Sequence, residues 1–371
     1  MRQLGPVTLL LCAAAYAQPQ QPPPTPNSTL KSPEVNPNKS VTFRIYAPEA
    51  KVVQMRGDWM TDPPVQKLTR EDNGVWTVTA GPLRPDLYTY FFLVDGVQVL
   101  DPKNNLVKTG LSSSSESMVD IPGDESAFHA LRPVPHGSLH VEWYMSKATD
   151  GMRRLHVYTP PGYDSGSSRY PVLYLLHGGG DTDAGWTEVG RANFILDNLL
   201  AEKKAKPMII VMPDGHPIKD PAQRSRSLEV FSKDLIGDVL PLIEKKYRTA
   251  PGRENRALAG LSMGGMQTLE VGLSNLDKFS YLGVFSAGVR DSAEFEKAHG
   301  DILSDAKKTN QDLRLFWIAI GKTDFLYKNN QTLLASLDAH NVRHVYRESD
   351  GGHVWWNWRI YLSEFAPQLF R

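Results

Sequence analysis

The sequence predicts an α/β domain with a mostly parallel sheet, preceded by a smaller β-sandwich. In the second half of the chain, continuous apolar runs at 172–176 and 208–212 alternate with helical stretches, as buried parallel strands do. In the first half, short alternating segments separated by turn residues recur between Val41 and Asp120, which is typical of an antiparallel sandwich. A chain of 371 residues is long enough for both domains.

Composition and charge limit the classes of partner. Lys and Arg together number 41, as do Asp and Glu, so no net field attracts nucleic acid or an anionic membrane surface. A neutral polymer or a small neutral molecule suits this balance better. No stretch beyond the first residues is apolar and long enough to span a bilayer. We therefore expect no nucleic-acid partner and no membrane partner, while the oligomeric state stays open.

Residues 1–17 have the pattern of a secretory signal peptide. Arg2 supplies the positive start, 6–15 forms a short apolar core, and the Ala-Tyr-Ala at 15–17 fits a small-x-small cleavage site. The single cysteine, Cys12, lies inside this segment, so the mature chain would have no disulfide and no thiolate chemistry. The predicted localisation is secreted or periplasmic.

Shifts in composition predict the domain boundaries. The Gln- and Pro-rich stretch 18–40 is predicted to be a disordered linker, 41–120 the β-sandwich, 121–132 a second linker and 133–371 the α/β domain. An amphipathic helix is predicted at 234–247, with a mild kink at Pro241. The predicted strands are 41–46, 52–55, 75–78, 88–94, 97–99, 155–159, 172–176, 208–212, 257–259, 281–285, 313–320 and 342–347.

The second domain is organised around the segment Gly260–Gly264, which reads G-L-S-M-G. Apolar residues 257–259 lead into it and helix formers follow from Met266, and strand, G-x-S-x-G, helix is the order that a nucleophile elbow requires. In such an elbow the strained turn exposes the hydroxyl of Ser262 and directs the amide of Met263 at a forming oxyanion. The alternative is a glycine-rich turn with an ordinary N-cap serine. With the elbow, the order of elements is that of an α/β-hydrolase.

A serine nucleophile needs a base within hydrogen-bond reach. In this fold the base is a histidine that follows the serine and the acid along the chain. His353 lies in a loop after the last predicted strand and is the predicted base. His299, in a polar helical stretch, and His340 and His344, beside the last strand, are interpreted as surface residues.

The base needs a carboxylate that orients it. Asp324 follows the predicted strand 313–320 and a glycine, which is where the acid of such a triad belongs. Asp350, three residues before His353, is its rival, although that spacing more often marks turn chemistry. We favour Asp324.

A second backbone donor for the oxyanion is predicted at Gly179, with Gly180 behind it. The segment 177–180 follows a buried strand, in the position of the oxyanion loop of this fold, and glycines let the backbone approach a substrate closely. The alternative is a flexible strand-to-helix turn. The chemistry implied is a two-step acyl transfer, which needs no metal and no cofactor.

Aromatic side chains near the predicted site are candidates for substrate contact. Trp186, Trp355 and Trp358 are predicted to contact a flat or apolar part of the substrate, with core packing as the alternative. Trp59 of the first domain is predicted to contact substrate at the edge of the cleft. Trp76, on an alternating strand, is interpreted as a core residue.

The first domain resembles the immunoglobulin-like carbohydrate-binding modules of family 48, which precede many glycan-active enzymes. The motifs that carry the resemblance occur in the right order and are Arg44–Pro48, Gly57–Trp59, Gly74–Trp76, Tyr88–Tyr90 and Asp101–Pro102. The resemblance implies either glycan contact through exposed aromatic side chains or a bracing of the second domain.

The second domain resembles carbohydrate esterase family 1, the feruloyl and acetylxylan esterases related to esterase D. The matching stretches are Val134–Gly137, Val157–Tyr163, Leu175–Gly178, Pro213–Gly215, Gly260–Gly264, Gly321 with Asp324, and Gly351–His353 with Trp355 and Trp358. The resemblance implies a Ser262–Asp324–His353 triad and ester hydrolysis on decorated plant cell-wall xylan. The plain glycine run 178–180 departs from many loops of the family, so the second oxyanion donor stays open.

The expected function is a secreted serine esterase that removes feruloyl groups from xylan, with feruloylated or acetylated xylan oligosaccharides as partners. The alternatives are an acetylxylan esterase, an acyltransferase of the same fold, and a non-catalytic glycan-binding protein. An intact serine, histidine and acid argue against the last of these.

Overall fold

A computed structural model describes residues 24–60, 64–111, 115–218 and 220–371 of the chain. The predicted signal peptide, 1–17, and the first residues of the predicted linker lie outside the described residues. The described residues form an antiparallel β-sandwich followed by an α/β domain that is built on a single sheet. Within these ranges no helix has the length and apolar character needed to cross a membrane.

The described residues of the first domain form ten strands in two antiparallel sheets. These strands are β1 (Glu34–Val35), β2 (Val41–Tyr46), β3 (Val53–Gly57), β4 (Gln66–Lys67), β5 (Thr69–Arg70), β6 (Val75–Ala80), β7 (Asp86–Val94), β8 (Val97–Val99), β9 (Val107–Lys108) and β10 (Glu116–Ile121). One sheet has the order β1-β2-β6-β5, and the other has the order β4-β3-β7-β10-β9 with β8 paired to β7. The predicted β-sandwich is confirmed.

Alternating side chains of the two sheets form the core of the sandwich. Phe43 of β2 and Tyr90 of β7 are fully buried, and their ring centroids are 4.6 Å apart. Trp76 of β6 is buried in the same core, and its indole N–H donates to the carbonyl of Ala47 at 2.9 Å. The interpretation of Trp76 as a core residue is therefore confirmed.

The segment 24–40 differs from the predicted disordered linker. β1 pairs with β2, with Glu34 opposite Thr42, and the buried hydroxyl of Ser32 donates to the carboxylate of Asp101 at 2.6 Å. Glu34 also forms an ion pair with Arg44 of β2 at 2.8 Å. The linker prediction is wrong for this part of the segment, because Pro-rich polar composition does not prevent a two-residue strand from pairing at a sheet edge.

In the described part of the second domain, one sheet has eight strands in the order β11-β12-β14-β13-β15-β16-β17-β18. Its strands are β11 (Ser138–Ser146), β12 (Gly151–Thr159), β13 (Val172–Leu176), β14 (Ile209–Pro213), β15 (Arg256–Leu261), β16 (Tyr281–Phe285), β17 (Leu315–Gly321) and β18 (Val345–Ser349). The six strands β13 to β18 are parallel to one another, whereas β11 and β12 are antiparallel to their neighbours. The predicted α/β-hydrolase fold is confirmed, and β11 is an edge strand that the sequence analysis missed.

Helices cover both faces of this sheet. Successive residues of a strand point to opposite faces, so Leu258 packs with Leu269 of a helix on one side while Ala259 packs with Phe365 on the other. The helices are α1 (Ala192–Ala201), α2 (Ser227–Asp234), α3 (Leu240–Lys246), α4 (Met263–Leu273), α5 (Ser292–Ala298), α6 (Gly300–Ser304), α7 (Ala306–Asp312), α8 (Tyr327–Ala339) and α9 (Trp355–Phe365).

The helix predicted at 234–247 is the second part of a longer helical run. α2 and α3 are joined by a π-helical segment, Leu235–Val239, that lies directly before Pro241 in the first turn of α3. Proline has no N–H to donate and its ring displaces the preceding turn. The helix is therefore wound more widely in the turn before Pro241.

The segment 121–132 between the domains is ordered by contacts with α1. Its main element is a 3-10 helix, Asp124–His129. The side-chain amide of Asn198 in α1 donates to the carbonyls of Phe128 at 3.0 Å and Ala130 at 2.9 Å. The connection therefore fixes the sandwich against the second domain instead of letting the two move independently.

A buried ion pair ties the two domains together. The guanidinium of Arg359 in α9 has no exposed surface and donates to the carboxylate of Asp86 in β7 at 2.6 Å. It also donates to the carbonyls of Leu87, at 3.0 Å, and Val189, at 2.7 Å. α9 begins directly after the loop that carries His353, so this contact connects the sandwich to the chemistry described below.

We predict that Arg359→Met lowers the free energy of unfolding by about 3–5 kcal/mol, because it leaves the carboxylate of Asp86 buried with only the imidazole of His129, 3.2 Å away, beside it. Urea denaturation measures this loss, and adding Asp86→Asn should recover part of it. Arg347→Met is the matched control: its ion pair with Glu364 is exposed, at 40% and 37%, and its loss should cost below about 1 kcal/mol. Equal losses in the two single variants would contradict the prediction.

Candidate active site

Ser262 stands at the sharp turn between β15 and α4. Its backbone has φ 53° and ψ −115°, a costly conformation for a residue with a Cβ. The amide of Ser262 donates to the carbonyl of Phe285 in β16 at 2.9 Å, which holds the turn in place. A Cβ on Gly264 would lie 2.6 Å from the carbonyl oxygen of His177, and one on Gly260 would lie 2.5 Å from the backbone of Gly264. Strand, strained serine and close-packed helix together have the geometry of a nucleophile elbow.

His353 lies between Ser262 and Asp324. Its Nε2 is 2.9 Å from the hydroxyl oxygen of Ser262, and its Nδ1 is 2.9 and 3.0 Å from the two carboxylate oxygens of Asp324. With the proton on Nδ1, the ring donates to Asp324 and accepts from the serine hydroxyl. The structure therefore brings together three predicted residues that follow three different strands of the sheet.

The imidazole of His353 and the carboxylate of Asp324 are held by their surroundings. Asp324 is buried and also accepts from the amide of Leu326 at 2.9 Å. The ring of Phe325 lies 4.4 Å from the imidazole, and that of Trp358 meets it edge-on at 4.9 Å. Phe325 is 73% exposed and was missed by the sequence analysis, although it directly follows Asp324.

The alternative acids and bases lie elsewhere. The side chain of Asp350 is 94% exposed and pairs with Lys322 at 3.2 Å. His299 is buried rather than on the surface. Its Nε2 lies 2.9 Å from the carboxylate of Glu270 in α4. His340 and His344 are partly buried and contact backbone carbonyls of their own segments. Among the described residues, none of these side chains hydrogen-bonds to Ser262, whereas His353 does.

The two predicted oxyanion donors lie next to each other. Met263 is the first residue of α4, so its amide has no acceptor within the helix. A Cβ on Gly179 would lie 4.0 Å from that of Met263, and the loop 178–180 lines the same cavity as Ser262. Backbone N–H groups in this position can stabilise a tetrahedral oxyanion that forms on a carbonyl attacked by Ser262.

Within the described ranges, His177, Asp214 and His216 form a group whose potential metal-ligand atoms lie within 4.8 Å of one another. Both nitrogens of His177 are already engaged, since Nε2 accepts from the amide of Gly215 at 2.8 Å and Nδ1 lies 2.8 Å from the carbonyl of Gly178. These contacts hold the glycine loop against the loop after β14. Burial lowers the pKa of His216, which keeps its ring neutral.

Ser262 and His353 open into a cavity of about 350 Å³. The second domain contributes the glycine loop, Asp181, Trp355 and Trp358 to its lining. The sandwich contributes four polar or charged residues that the sequence analysis did not assign, namely Asp58, Thr89, Lys108 and Glu116. The site is therefore shared between the two domains. A signal for Asp58 was present in the motif Gly57–Trp59, from which only Trp59 was selected.

Asp58 has an unusual electrostatic environment. Its carboxylate accepts from the amide of Thr89 at 3.1 Å and is accessible to solvent within the cavity. Protein atoms nevertheless crowd it from both domains, and this desolvation raises its pKa to about 7, against the opposing effects of the Thr89 amide and Arg359. Near neutral pH the group can therefore either donate or accept a hydrogen bond at the cavity.

The four predicted aromatic residues have different positions. Trp355 and Trp358 line the catalytic cavity, and Trp358 is fixed by its indole N–H, which donates to the hydroxyl of Ser286 at 2.9 Å. Trp186 differs from the prediction: it is 1% exposed, donates to the carbonyl of Leu176 and packs edge-on against Trp355. It supports the wall of the cavity from behind and has no surface to offer a substrate.

Trp59 lines a neighbouring cavity of about 590 Å³ between the two domains. One face of its indole is stacked on Phe43, with ring centroids 5.8 Å apart and an interplanar angle of 16°. The same cavity is lined by Arg84, whose guanidinium lies 3.6 Å above the ring of Trp356. Asp58 lines both cavities, so they adjoin at this residue.

We predict that Asp58→Asn stabilises the protein more at pH 8 than at pH 4. The folded state keeps the proton of Asp58 up to about pH 7, whereas the unfolded state releases it near 3.8, so wild-type stability falls as the pH rises between these values. Asparagine imitates the neutral carboxyl and avoids this loss. Melting temperatures at both pH values measure the difference, with the exposed Asp350→Asn as control. A pH-independent difference would contradict the prediction.

Sequence comparisons give relatives for most of the chain. It is 33% identical over 357 residues to an endo-1,4-beta-xylanase/feruloyl esterase of Xylanibacter ruminicola. This match covers 91% of this chain and 46% of the relative. It is 26% identical over 267 residues to endo-1,4-beta-xylanase Y of Acetivibrio thermocellus, covering 65% of this chain and 24% of the relative. The chain thus spans less than half the length of these two relatives.

Solved structures of esterases are also similar to this chain. The ferulic acid esterase of Anaeromyces mucronatus is 27% identical, with a TM-score of 0.56 over 66% of this chain and 95% of its own. The enterobactin esterase of Shigella flexneri, at 20% identity, shares the fold over 88% of this chain and 92% of its own, with a TM-score of 0.62. A family profile described as Esterase matches residues 146–369. The chain therefore belongs to the esterase family.

Proposed function

We propose that this protein is a secreted serine esterase that removes feruloyl or related hydroxycinnamoyl groups from plant cell-wall xylan. The observation that carries the proposal is the hydrogen-bonded series Ser262–His353–Asp324, which opens into a cavity lined by Trp355 and Trp358. A feruloyl ester offers a carbonyl to the serine and a flat phenolic ring to aromatic side chains. Similarity to a xylanase/feruloyl esterase and to a ferulic acid esterase supports this substrate class.

The proposed mechanism begins with attack of the Ser262 hydroxyl oxygen on the ester carbonyl carbon. Nε2 of His353, 2.9 Å away, accepts the hydroxyl proton, and the carboxylate of Asp324 stabilises the imidazolium that forms. The amides of Met263 and Gly179 stabilise the oxyanion. His353 then gives its proton to the sugar oxygen, which leaves as the alcohol and produces an acyl-enzyme.

Deacylation repeats these steps with water. His353 takes a proton from a water molecule, the resulting hydroxide attacks the acyl carbon, and a second oxyanion forms between the same two amides. Collapse of this intermediate returns the proton from His353 to Ser262. One ester and one water are consumed, and one carboxylic acid and one alcohol are released.

The sugar portion of the substrate fits the cavity that Trp59 lines. A polymer whose ester lies at Ser262 extends past Asp58 into this second space, where Trp59, Tyr88, Arg84 and Trp356 offer ring faces and hydrogen-bond donors. The balanced net charge of the chain suits a neutral polysaccharide. Because plant cell-wall xylan is extracellular, the proposal includes export directed by residues 1–17.

We predict that Ser262→Ala abolishes ester hydrolysis, by a factor on the order of 10⁶, and leaves the melting temperature nearly unchanged. Release of ferulic and acetic acid from feruloylated and acetylated xylan oligosaccharides, followed by chromatography, is the measurement. Ferulic acid is the expected main product of the wild-type enzyme. Acetic acid alone would favour an acetylxylan esterase instead, and transfer to an added sugar in place of hydrolysis would favour an acyltransferase. Undiminished hydrolysis by Ser262→Ala would refute the proposal.

We predict that Asp324→Asn lowers kcat by a factor on the order of 10⁴, because the amide no longer orients His353 or stabilises its charged form. Asp350→Asn, which changes an exposed carboxylate three residues before His353, is the matched control and should retain activity close to wild type. Steady-state kinetics on methyl ferulate measure both. If the order of the two effects were reversed, Asp350 rather than Asp324 would be the acid.

A further inference from the structure

The glycine loop beside Ser262 is held by the other domain. Gly179 and Gly180 are exposed, and three consecutive glycines have little conformational preference of their own. The loop closes in a turn in which the amide of Asp181 donates to the carbonyl of Gly178 at 3.2 Å. Asp181 is therefore the residue through which an outside contact can fix the turn.

That contact comes from the segment that follows β9 in the sandwich. The amide of Leu111 donates to the carbonyl of Gly180 at 3.2 Å, and Gly110 forms an antiparallel bridge with Asp181. The amide and hydroxyl of Thr109 donate to the carboxylate of Glu188 at 2.6 and 2.9 Å. The sandwich thus pairs with the glycine loop in the manner of an added strand.

A buried ion pair reinforces this pairing. Nζ of Lys108 lies 3.0 Å from the carboxylate of Asp181 and 3.3 Å from that of Glu116, and the side chains of Lys108 and Asp181 are both buried. Burial alone would lower the pKa of Lys108, but the two carboxylates outweigh it and raise the pKa, so the ammonium stays charged. Leaving the buried carboxylate of Asp181 without a partner would lower the free energy of unfolding.

We propose that Lys108 is a positioning residue for catalysis: by holding Asp181, it fixes the turn that presents the amide of Gly179 to the oxyanion. This inference rests on the proposed esterase chemistry and extends it, since the sandwich then supports the reaction itself and not only the binding of a glycan. The effect is therefore independent of substrate size and applies to an ester too small to reach Trp59.

The test uses the full chain and nitrophenyl acetate. Loss of an oxyanion donor costs about 10²–10³ in kcat, so a displaced donor in Lys108→Met should lower kcat by at least about 10-fold, with KM nearly unchanged. Affinity for an arylboronic acid, whose adduct with Ser262 is tetrahedral, should fall by the same factor. Affinity for ferulamide, a neutral ground-state analogue, should stay the same. Lys108→Arg, which keeps the charge, should recover most of the loss.

Arg191→Met is the matched control. Arg191 also joins the domains, through an ion pair with Asp120 at 2.9 Å, but this ion pair does not include the glycine loop. The kcat of Arg191→Met should stay close to that of the wild-type enzyme. If Lys108→Met does not fold, Asp181→Asn removes the same ion pair at nearly constant volume and should show the same loss of kcat. Wild-type kcat and boronate affinity in a folded Lys108 or Asp181 variant would overturn the proposal, as would an equal loss in Arg191→Met.

Hydrogen exchange separates this proposal from the proposed function. Amides of 178–181 should exchange faster in Lys108→Met than in wild type or Arg191→Met, whatever the reaction of Ser262 is. If Ser262→Ala kept full activity, the proposed function would fail while this measurement would still report whether Lys108 holds the loop. Unchanged exchange in Lys108→Met would overturn the positioning role alone.

Discussion

The strained, positive-φ backbone of Ser262 is the constraint on which the site depends. A conformation of this kind costs about 1–3 kcal/mol and persists only where the surrounding structure determines it. Here the hydrogen bond to Phe285 fixes the end of β15, and Gly260 and Gly264 let α4 pack where any side chain would collide. The hydroxyl consequently stands at the carboxyl edge of the sheet. The loops after β17 and β18 end at the same edge, which brings Asp324 and His353 to it.

Contacts between the domains complete this arrangement. Arg359 anchors the helix that follows the His353 loop to Asp86, and Lys108 anchors the glycine loop to the sandwich. Replacing a buried ion pair by apolar residues is often neutral, so such pairs are weak evidence for stability. In this protein the ion pairs are more important for the orientation of the two domains, because a misplaced domain would leave a charge buried without a partner. The sandwich is therefore docked in one orientation, with both sides of the catalytic cavity attached to it.

The polar lining of the catalytic cavity follows from this docking. Asp58 and Thr89 lie on the sandwich, far from Ser262 in sequence, yet line the same cavity. Desolvation by the surrounding protein atoms raises the pKa of Asp58, which lies where the cavities between the two domains adjoin. The aromatic residues Trp355 and Trp358 lie on the opposite domain. The cavity therefore has a ring-rich surface on one side and ionisable groups on the other.

Local pattern determined most of the second domain from the sequence. Continuous apolar runs identified its buried parallel strands, and the G-x-S-x-G segment between a strand and a helix identified Ser262. Fold topology then required an acid and a base at later strand ends, which selected Asp324 and His353. The edge strand β11 escaped because it is half-exposed and follows a proline-rich stretch. The pairing of Glu34–Val35 escaped because two residues carry no periodicity.

Only the tertiary structure decided which residues distant in sequence come into contact. Trp186 and Trp355 look alike in sequence, but one is enclosed by the core and the other faces the cavity, a difference set by helix packing. Lys108 has no local motif that connects it to Asp181, since charge pairing across domains depends on how two finished surfaces meet. The sequence by itself therefore predicted the three residues of the proposed triad. The docking of the sandwich decided the shape and electrostatics of the cavity and the contacts of the glycine loop, because these arise from long-range contacts that no local pattern encodes.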